Sequence, residues 1–501
     1  MNRDINKLRK KIDRIDKQLM KKLDYRFQIV KQIGNIKKEK NLLITDSSRE
    51  QQILDKAEQF ATENEIKNIY GNIFKEAKNL QAKYLVLGNA SYTYSSYIHQ
   101  RFTNENYQIQ ETDDLKQFLT IYKPLGINIS NPLKKQGFDV CQEISEKAKK
   151  SGVINLITKR NNQYYGDNID IDAFLNMINY YKIDFTGKNI IIIGNGATSR
   201  SIITAISSLN PQSILKLVRE KRDINEIEIS SMPFNLACDI LIDATSNDVY
   251  PEFNNEPLID INKLLNVKYF ITVNYNPNRS LLYQNAEKLK IKCYNGLMML
   301  IENARISESI WNDKEIPFLY TKQIMKDLLN KLNIVLIGQT GSGKTTTSLD
   351  LSFITNKKHF DTDELIEKKT QLIVNDNINN LDEFRETETK IIKNLSLTTD
   401  SIISIGAGAI LNPENMQNLK RNGILVFLNI SLEKLIERFN EQKIERPLIK
   451  KIDDLKTMHQ KRQQIYLDEA DIIIDCDNLN SYEIAERIEE KVYEYINHKW
   501  L

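Results

Sequence analysis

Seventeen glycines, ten prolines and four cysteines are few for a chain of 501 residues. Cys141, Cys238, Cys293 and Cys476 stand far apart. There is no CxxC pair and no Cys/His spacing of the kind that holds zinc, so neither a disulfide framework nor a thiolate metal site is expected. A reducing, cytoplasmic setting fits that usage. No apolar run reaches about 18 residues, which excludes a membrane-spanning helix. The start, "MNRDINKLRKK", carries too much charge for a secretory signal. A formal net charge of +3 forces no polyanion partner, and no segment reads as binding nucleic acid. The shortage of Gly and Pro, beside abundant Lys, Asn and Ile, reflects biased codon composition more than function. No internal repeat is present.

What remains is an ordinary globular balance, 41% hydrophobic and 27% charged. The length suits roughly three to five compact units. Leu8, Ile12, Ile15, Leu19 and Leu23 recur at helical spacing, and Val30 and Ile33 continue the stripe. The pattern predicts one long helix to about Asn41, a second opened by a capping box from Ser47 to Glu50, and a third over Glu65 to Gln81. At Tyr84 the texture changes. "KYLVLGN", "LGINIS", "KNIIIIGNG", "SILKLV" and "DILIDATS" are short apolar runs between helical stretches, the mark of α/β architecture with parallel strands. A second change follows Trp311, where "NDKEIPF" is a polar connector and a helix to Leu332 leads to the strand "NIVLIG". Three blocks are expected, near 1–82, 83–320 and 330–497.

"GQTGSGKT", Gly338 to Thr345, has the spacing of a phosphate-binding loop between a strand and a helix. Backbone N–H groups of the loop (Gly338, Gly341, Gly343) would receive phosphate oxygens of ATP. Lys344 would reach the β- and γ-phosphates, and Thr345 would bind Mg²⁺. "FDTDELIE" places Asp361 and Asp363 at the end of the next strand, on one side of extended chain. One carboxylate would act on Mg²⁺ through water, and the other would accept the proton of an attacking hydroxyl. "FRETE" adds Arg385 and Glu388. Gly406 and Gly408 follow a third strand, where a side chain would block a substrate. Arg446 and Arg462 bring cations from distant segments, which suits a small carboxylate and moving phosphate charge. From about Asn333 to Tyr495 this block resembles shikimate kinase; other small-metabolite P-loop kinases are the sibling reading. The resemblance implies that Asp363, Arg385, Arg462, Gly406 and Gly408 bind shikimate, with Asp363 nearest the 3-hydroxyl and Asp361 on the metal side. It puts Arg446 on a lid over ATP, assisted by Arg438. The family's Gly-Gly-Gly reads Gly406-Ala407-Gly408 here, and its usual Gly after the Asp pair is missing from "KKTQLIV".

"GKNIIIIGNGATSRSI" is a strand, then Gly194-x-Gly196, then a helix: a dinucleotide turn with Ser199 at its third position. The next strand ends in Arg219, Glu220, Lys221 and Arg222, a basic cluster that favours the 2′-phosphate of NADP over NAD. Ahead of it, "GINISNPLKK" sets Asn128, Ser130 and Lys134 after a strand, with Pro132 stopping the ladder. Asn155, Asn168 and Asp170 follow. A Lys paired with an Asp relays a proton to a carbonyl oxygen as hydride arrives. From Tyr84 to Trp311 these segments resemble shikimate dehydrogenase. The resemblance puts Lys134 and Asp170 on the catalytic pair. Thr93 and Ser95 fall at the substrate hydroxyl positions, and Ser130 and Asn155 on the substrate. Asn303 stands on the substrate, where the family has the longer Gln, and Tyr275 near the C-terminal return. Gly194-Asn195-Gly196-Ala197-Thr198 departs from the family's Gly-x-Gly-Gly-Ala, and Val218 replaces the Asn of its Asn-Arg-Thr.

The first helix carries Arg9, Arg26 and Lys37. Arg26, Val30, Ile33 and Lys37 share one face, which suggests an anionic ligand between helices. Arg9 lies roughly 25 Å from Arg26 along the helix, so it serves the same pocket only from an antiparallel second copy. Asp46, Arg49 and Glu50 cluster where the second helix begins, and Gln81 closes the third. Residues 3–82 are similar to the all-helical chorismate mutase family. By that match Arg9 of the partner chain, Arg26, Lys37, Asp46, Arg49, Glu50 and Gln81 line the pocket. Lys37 and Gln81 meet charge on the ether oxygen, and Ala77 stands where a small hydroxyl residue is usual. A pure dimerisation arm is the alternative.

The combined expectation is a multidomain, trifunctional enzyme of aromatic amino-acid biosynthesis, with small-molecule substrates and a homodimer. An all-α N-terminal domain forms an intertwined dimer. A two-lobed α/β dehydrogenase follows, with a substrate lobe near 83–184 plus a C-terminal return and a Rossmann NADP lobe near 185–275. An α/β P-loop kinase with a parallel sheet completes the chain. The rival keeps kinase and mutase activity and makes the dehydrogenase block a scaffold or metabolite sensor.

Overall fold

The computed structural model describes residues 2–39, 46–57, 63–81, 84–87, 94–102, 108–130, 132–250, 252–254, 256–370, 381–441 and 451–501. The chain divides into two compact units.

One unit comprises residues 1–183, 200–208 and 300–317. Its first helix, Asn2–Glu39, is the long amphipathic rod that the sequence pattern predicts. Its contact with the third helix, Glu63–Gln81, centres on the buried Val30 and Ala77, with Phe27 alongside. The second helix spans Ser47–Ala57, and its cap differs from the expectation. The helix starts at Ser47, so Asp46 holds the cap position: its carboxylate accepts the Arg49 N–H at 3.0 Å and its carbonyl the Glu50 N–H at 3.0 Å. Asp is as good an N-cap as Ser, and it stands one residue earlier. Residues 40–45, which hold the expected end of the first helix, lie outside the described residues.

The same unit holds a six-stranded sheet in the spatial order Gln108–Gln110, Tyr84–Leu87, Gly126–Ile129, Leu156–Arg160, Gln163–Asp167, Glu143–Ile144. The first three strands run parallel, and the next two join antiparallel. Leu85, Leu87, Ile127 and Ile157 are buried in its core. Two functional stretches emerge at its strand ends: the short 3-10 turn Leu133–Lys135 and the helix Asp170–Tyr180.

The other unit comprises residues 184–199, 209–299 and 318–501, and holds two larger sheets besides a short two-stranded one, Leu236–Ala237 with Leu264–Leu265. Six parallel strands are ordered Lys292–Tyr294, Tyr269–Thr272, Ile240–Asp243, Asn189–Ile193, Ser213–Val218, Glu226–Glu228. The run Ile190–Ile193 is buried on both faces, as a central parallel strand requires. Its edge strand Lys292–Tyr294 lies beyond Tyr275 in the chain.

Five parallel strands form the second sheet, ordered Lys358–Asp361, Ser401–Ser404, Asn333–Ile337, Gly423–Asn429, Ile472–Asp475. The helix before it ends at Leu329, three residues short of the expected Leu332. Asp363 also differs from the expectation. The strand stops at Asp361, and Asp363 sits in the first turn of helix Thr362–Thr370. The two carboxylates therefore do not alternate along extended chain. Asp361 instead accepts the Asp363 N–H at 2.9 Å.

Candidate active sites

In the region of the phosphate-binding loop the buried strand Asn333–Ile337 feeds a turn whose glycines take left-handed backbone: Gly338 at φ +155°, Gly341 at +88° and Gly343 at +95°. A Cβ on Gly338 would also stand 3.1 Å from the Leu428 carbonyl. Helix Lys344–Thr355 starts directly after Gly343, so its free N–H groups face the loop. The Lys344 ammonium curls back to the carbonyls of Gly338 (2.9 Å) and Gln339 (3.1 Å). Arg438 donates to Gly341 O at 3.2 Å. Thr345 Oγ1 donates to Asp361 Oδ2 at 3.0 Å. A cavity of about 690 Å³ opens here, lined among others by Lys344, Thr345, Asp361, Asp363 and Arg438.

The substrate side is assembled next to it. A Cβ on Gly406 would stand 2.7 Å from Asp363 Oδ1 and 3.1 Å from Glu388 Oε1, and one on Gly408 would overlap the Arg385 guanidinium. Both glycines are thus needed for close approach. Arg385 bonds Glu388 at 2.7 Å. The buried Arg462 feels the charges of Arg385 and Glu388. Burial, then the neighbouring Asp361, pushes the Asp363 carboxyl above its ordinary value, while Lys344 and Arg385 pull it down. Burial likewise raises Glu388. Tyr466 was not singled out by the sequence. Its hydroxyl lies 2.8 Å from both Gly338 O and Ala407 O, so its single proton is shared between the phosphate loop and the glycine segment. Arg446 lies outside the described residues.

In the other unit, Lys134 and Asp170 meet. Lys134 Nζ lies 2.7 Å from Asp170 Oδ2, and the two residues are only 9% and 6% exposed. The second carboxylate oxygen accepts from Asn155 (2.7 Å) and Asn303 (2.6 Å). Asn155 is itself fixed by the Ile169 N–H on its carbonyl, at 2.8 Å. The shorter Asn303 still reaches Asp170. Ser95 opens helix Ser95–Phe102 and is half-buried. Ser130 is also half-buried, and its N–H is held by Leu87 O at 2.8 Å. Thr93 lies outside the described residues. A pairing the sequence did not reveal stands nearby. His99 bonds Glu308 at 2.7 Å, both buried, and its other nitrogen lies 3.0 Å from Asn128 Nδ2. Asn128 is therefore occupied by scaffolding.

The dinucleotide turn has Gly194 at φ +101°. A Cβ there would stand 3.1 Å from Thr245 Cγ2, whereas one at Gly196 would meet open space. Gly194 is thus required by conformation, and Gly196 leaves room for a pyrophosphate. Ser199 donates to Gly194 O at 2.8 Å and so closes the turn from below. Arg219 and Arg222 are exposed just past strand Ser213–Val218. Arg222 bonds Glu220 at 3.1 Å, an exposed pair worth little. Tyr275 is half-buried.

In the helical region Arg26 and Lys37 are half-buried, and Arg26 Nη1 is buried with no hydrogen-bond partner among the described residues. A buried guanidinium nitrogen without an acceptor calls for an anion. Glu50 pairs with Lys78 at 2.9 Å, a contact the sequence reading missed. The backbone N–H of Arg49, then the Ser48 hydroxyl, holds the Asp46 carboxyl below its ordinary value. Arg9 is exposed. Gln81 ends the third helix, and its side chain lies outside the described part. Leu8, Ile12, Ile15 and Leu19 are more than half exposed along the first helix.

Residues 340–493 match the family model for shikimate kinase, and residues 8–82 that for chorismate mutase type II. The chain is similar to a shikimate dehydrogenase (NADP(+)) of Pelagibacter ubique, 31% identical over 231 residues, or 45% of this chain and 84% of that protein. It is also similar to a shikimate kinase of Rippkaea orientalis, 37% identical over 152 residues, or 29% of this chain and 80% of the relative. Among solved structures, a chorismate mutase/shikimate 5-dehydrogenase fusion protein from Clostridium acetobutylicum aligns at TM-score 0.46 and 25% identity. That match covers 49% of this chain and 96% of the other.

Proposed function

The chain belongs to the shikimate dehydrogenase and shikimate kinase families and carries a type II chorismate mutase region ahead of them, and on that premise we propose how its residues divide three reactions of the shikimate pathway. The domains follow the blocks 1–82, 83–320 and 330–497. The observation that carries the dehydrogenase step is the 2.7 Å contact between Lys134 and Asp170. When 3-dehydroshikimate is reduced, NADPH supplies the hydride. Lys134 gives the proton to the carbonyl oxygen, and Asp170 holds the ammonium in place. Asn155 and Asn303 fix Asp170 from its far side, and Ser95, Thr93 and Ser130 orient the ring. Gly194 and Gly196 admit the pyrophosphate, and Arg219 with Arg222 takes the 2′-phosphate.

Shikimate then meets the kinase. Arg385 and Arg462 hold its carboxylate, beside the clearance left by Gly406 and Gly408. Asp363, already raised by burial, accepts the 3-hydroxyl proton while ATP supplies the phosphoryl group. Lys344 and the loop glycines cradle the phosphates, with Arg446 closing over them. Thr345 and Asp361 present hard oxygen donors that suit Mg²⁺. No cluster of three or more ionisable ligands exists among the described residues, so such an ion takes most of its shell from water and phosphate.

In the mutase region Arg26, with Arg9 from a second copy, holds the chorismate carboxylates, and Arg49, Asp46 and Glu50 line the pocket. Lys37 and Gln81 stabilise the ether oxygen as its bond breaks. The apolar stripe on the first helix supports a homodimer. No helix of the described residues is long and apolar enough to cross a membrane; together with the pathway this supports a cytoplasmic enzyme. The test is a one-pot assay: 3-dehydroshikimate, NADPH and ATP should yield shikimate 3-phosphate. Product formed only when shikimate is supplied would reduce the dehydrogenase block to a scaffold.

A further inference from the structure

Two arginines of the second unit lie outside all three sites and are almost fully buried. Arg279 belongs to the dinucleotide-binding region, between strand Tyr269–Thr272 and helix Leu281–Lys288. Arg421 belongs to the kinase region, on the last turn of helix Pro413–Asn422. Each reaches into the other region.

Arg279 is a pin. Its guanidinium bonds both oxygens of Asp471, at 2.7 and 2.8 Å, and donates to Lys420 O at 2.9 Å and to Gly423 O. The Tyr495 hydroxyl and the Leu425 N–H complete the shell of Asp471 at 2.8 and 2.9 Å. The Asn278 N–H on Asn422 and the Gln284 amide on Gln417 O, at 2.9 and 3.0 Å, fasten the same seam.

Arg421 does something more specific. It pairs with Asp248, donates to Asn254 O at 2.7 Å, and lies 4.3 Å from the Phe253 ring centroid. Asp248, at φ +56°, also accepts the N–H groups of Asn254 (2.9 Å) and Leu281 (2.6 Å). From there a continuous set of contacts runs to the dinucleotide turn. Asn254 bonds Asn247 at 2.8 Å, the Asn247 N–H bonds Thr245 Oγ1 at 3.2 Å, and Thr245 bonds Asp243 at 2.7 Å. The Thr245 methyl is the group that packs on Gly194. Without Arg421, Asp248 would be a buried carboxylate with no cation, and the loop would rearrange to hydrate it.

We infer that Arg421, a kinase-region residue, positions residues 244–250 and 252–254, which border the dinucleotide turn, so that the dehydrogenase's affinity for NADPH depends on a side chain outside the dehydrogenase sequence. The inference rests on reading Gly194 to Gly196 as the NADPH turn. Arg421 is a positioning residue: it acts through Asp248 and Thr245 and touches neither substrate.

The test uses the full chain and a fluorescence titration with NADPH. Wild-type protein should bind; if it does not, the dehydrogenase reading falls first, and this inference with it. In Arg421→Gln the dissociation constant for NADPH should rise about fivefold or more. Its kcat at saturating NADPH should stay near wild type, and its shikimate phosphorylation within about twofold. Asp248→Asn, which keeps the shape and removes the charge, should weaken NADPH binding in the same way. It also carries the test if Arg421→Gln does not fold. The double variant should lose no more than the worse single variant, because the two residues act as one unit. An unchanged NADPH dissociation constant in Asp248→Asn, or additive losses in the double variant, would overturn the inference.

Discussion

The kinase and mutase regions handle the same problem, holding a small carboxylated ring, in opposite ways. The kinase gathers its groups within a single chain: Lys344, Asp361, Asp363 and Arg438 line one cavity at the end of a parallel sheet, and the charge of Arg385, from a further helix, acts on Asp363. The mutase region strings its cations along one rod. Arg9 and Arg26 lie on the same helix, too far apart to share a ligand, and the rod's apolar stripe is exposed. A sheet with crossover helices brings distant residues together by folding. A single long helix does so only by association.

That contrast is sharpened first by the largest expected effects. Lys134→Ala should lower 3-dehydroshikimate reduction by about 10²–10⁴ in kcat, the usual contribution of a positioned acid, with prephenate formation and shikimate phosphorylation unchanged in the same preparation. Asp363→Asn should cost the kinase a similar factor. Because burial and Asp361 raise the Asp363 carboxyl, wild-type phosphorylation should fall as pH drops through a value above the ordinary 3.8. A pH–rate profile without that limb would remove Asp363 as the base. Next, Gly408→Ala drives a methyl into Arg385 and should raise the KM for shikimate by about a hundredfold, far more than the KM for ATP.

How much of this was legible beforehand depended on sequence distance. The strand–loop–helix setting of the phosphate loop is legible, because its residues are eight consecutive ones and its geometry is local. Lys134 and Asp170 were recognised by family order, and folding brings them together across the sheet. The strand expected to carry Asp363 stops at Asp361, and the helix takes over at Thr362; alternation along extended chain gives no sign of so early a stop. Asp46 was missed as the cap because two adjacent serines offered an equal signal. The bond from Tyr466 to the phosphate loop, the His99–Glu308 pair and the bidentate Arg279–Asp471 pair join residues 128, 209 and 192 positions apart. No short-range pattern encodes them.

Dilution should separate the two designs by a smaller but plain effect. Specific mutase activity should decline as protein concentration falls through the dimer dissociation constant, while kinase specific activity stays flat. Smaller still for catalysis is the pH dependence of stability. The Arg279 guanidinium overcomes burial and holds the Asp471 carboxyl well below the ordinary 3.8. A carboxylate depressed in the folded state stabilises above its unfolded value, and that contribution is lost as pH falls below it. Unfolding of the wild type should therefore steepen below about pH 4. Asp471→Asn should be less stable by about 3–5 kcal/mol at neutral pH and less sensitive to acid in the same melts.

The most direct test of a mutase pocket shared between two copies is complementation. Full-length Arg9→Ala and Arg26→Ala chains are each expected to be nearly inactive on chorismate. Mixed in equal amounts and allowed to exchange, half the dimers carry one intact pocket, so prephenate formation should recover to about a quarter of wild type. Recovery to that level, with kinase activity constant throughout, is the predicted result; exchange confirmed by labelled chains with no recovery would contradict it.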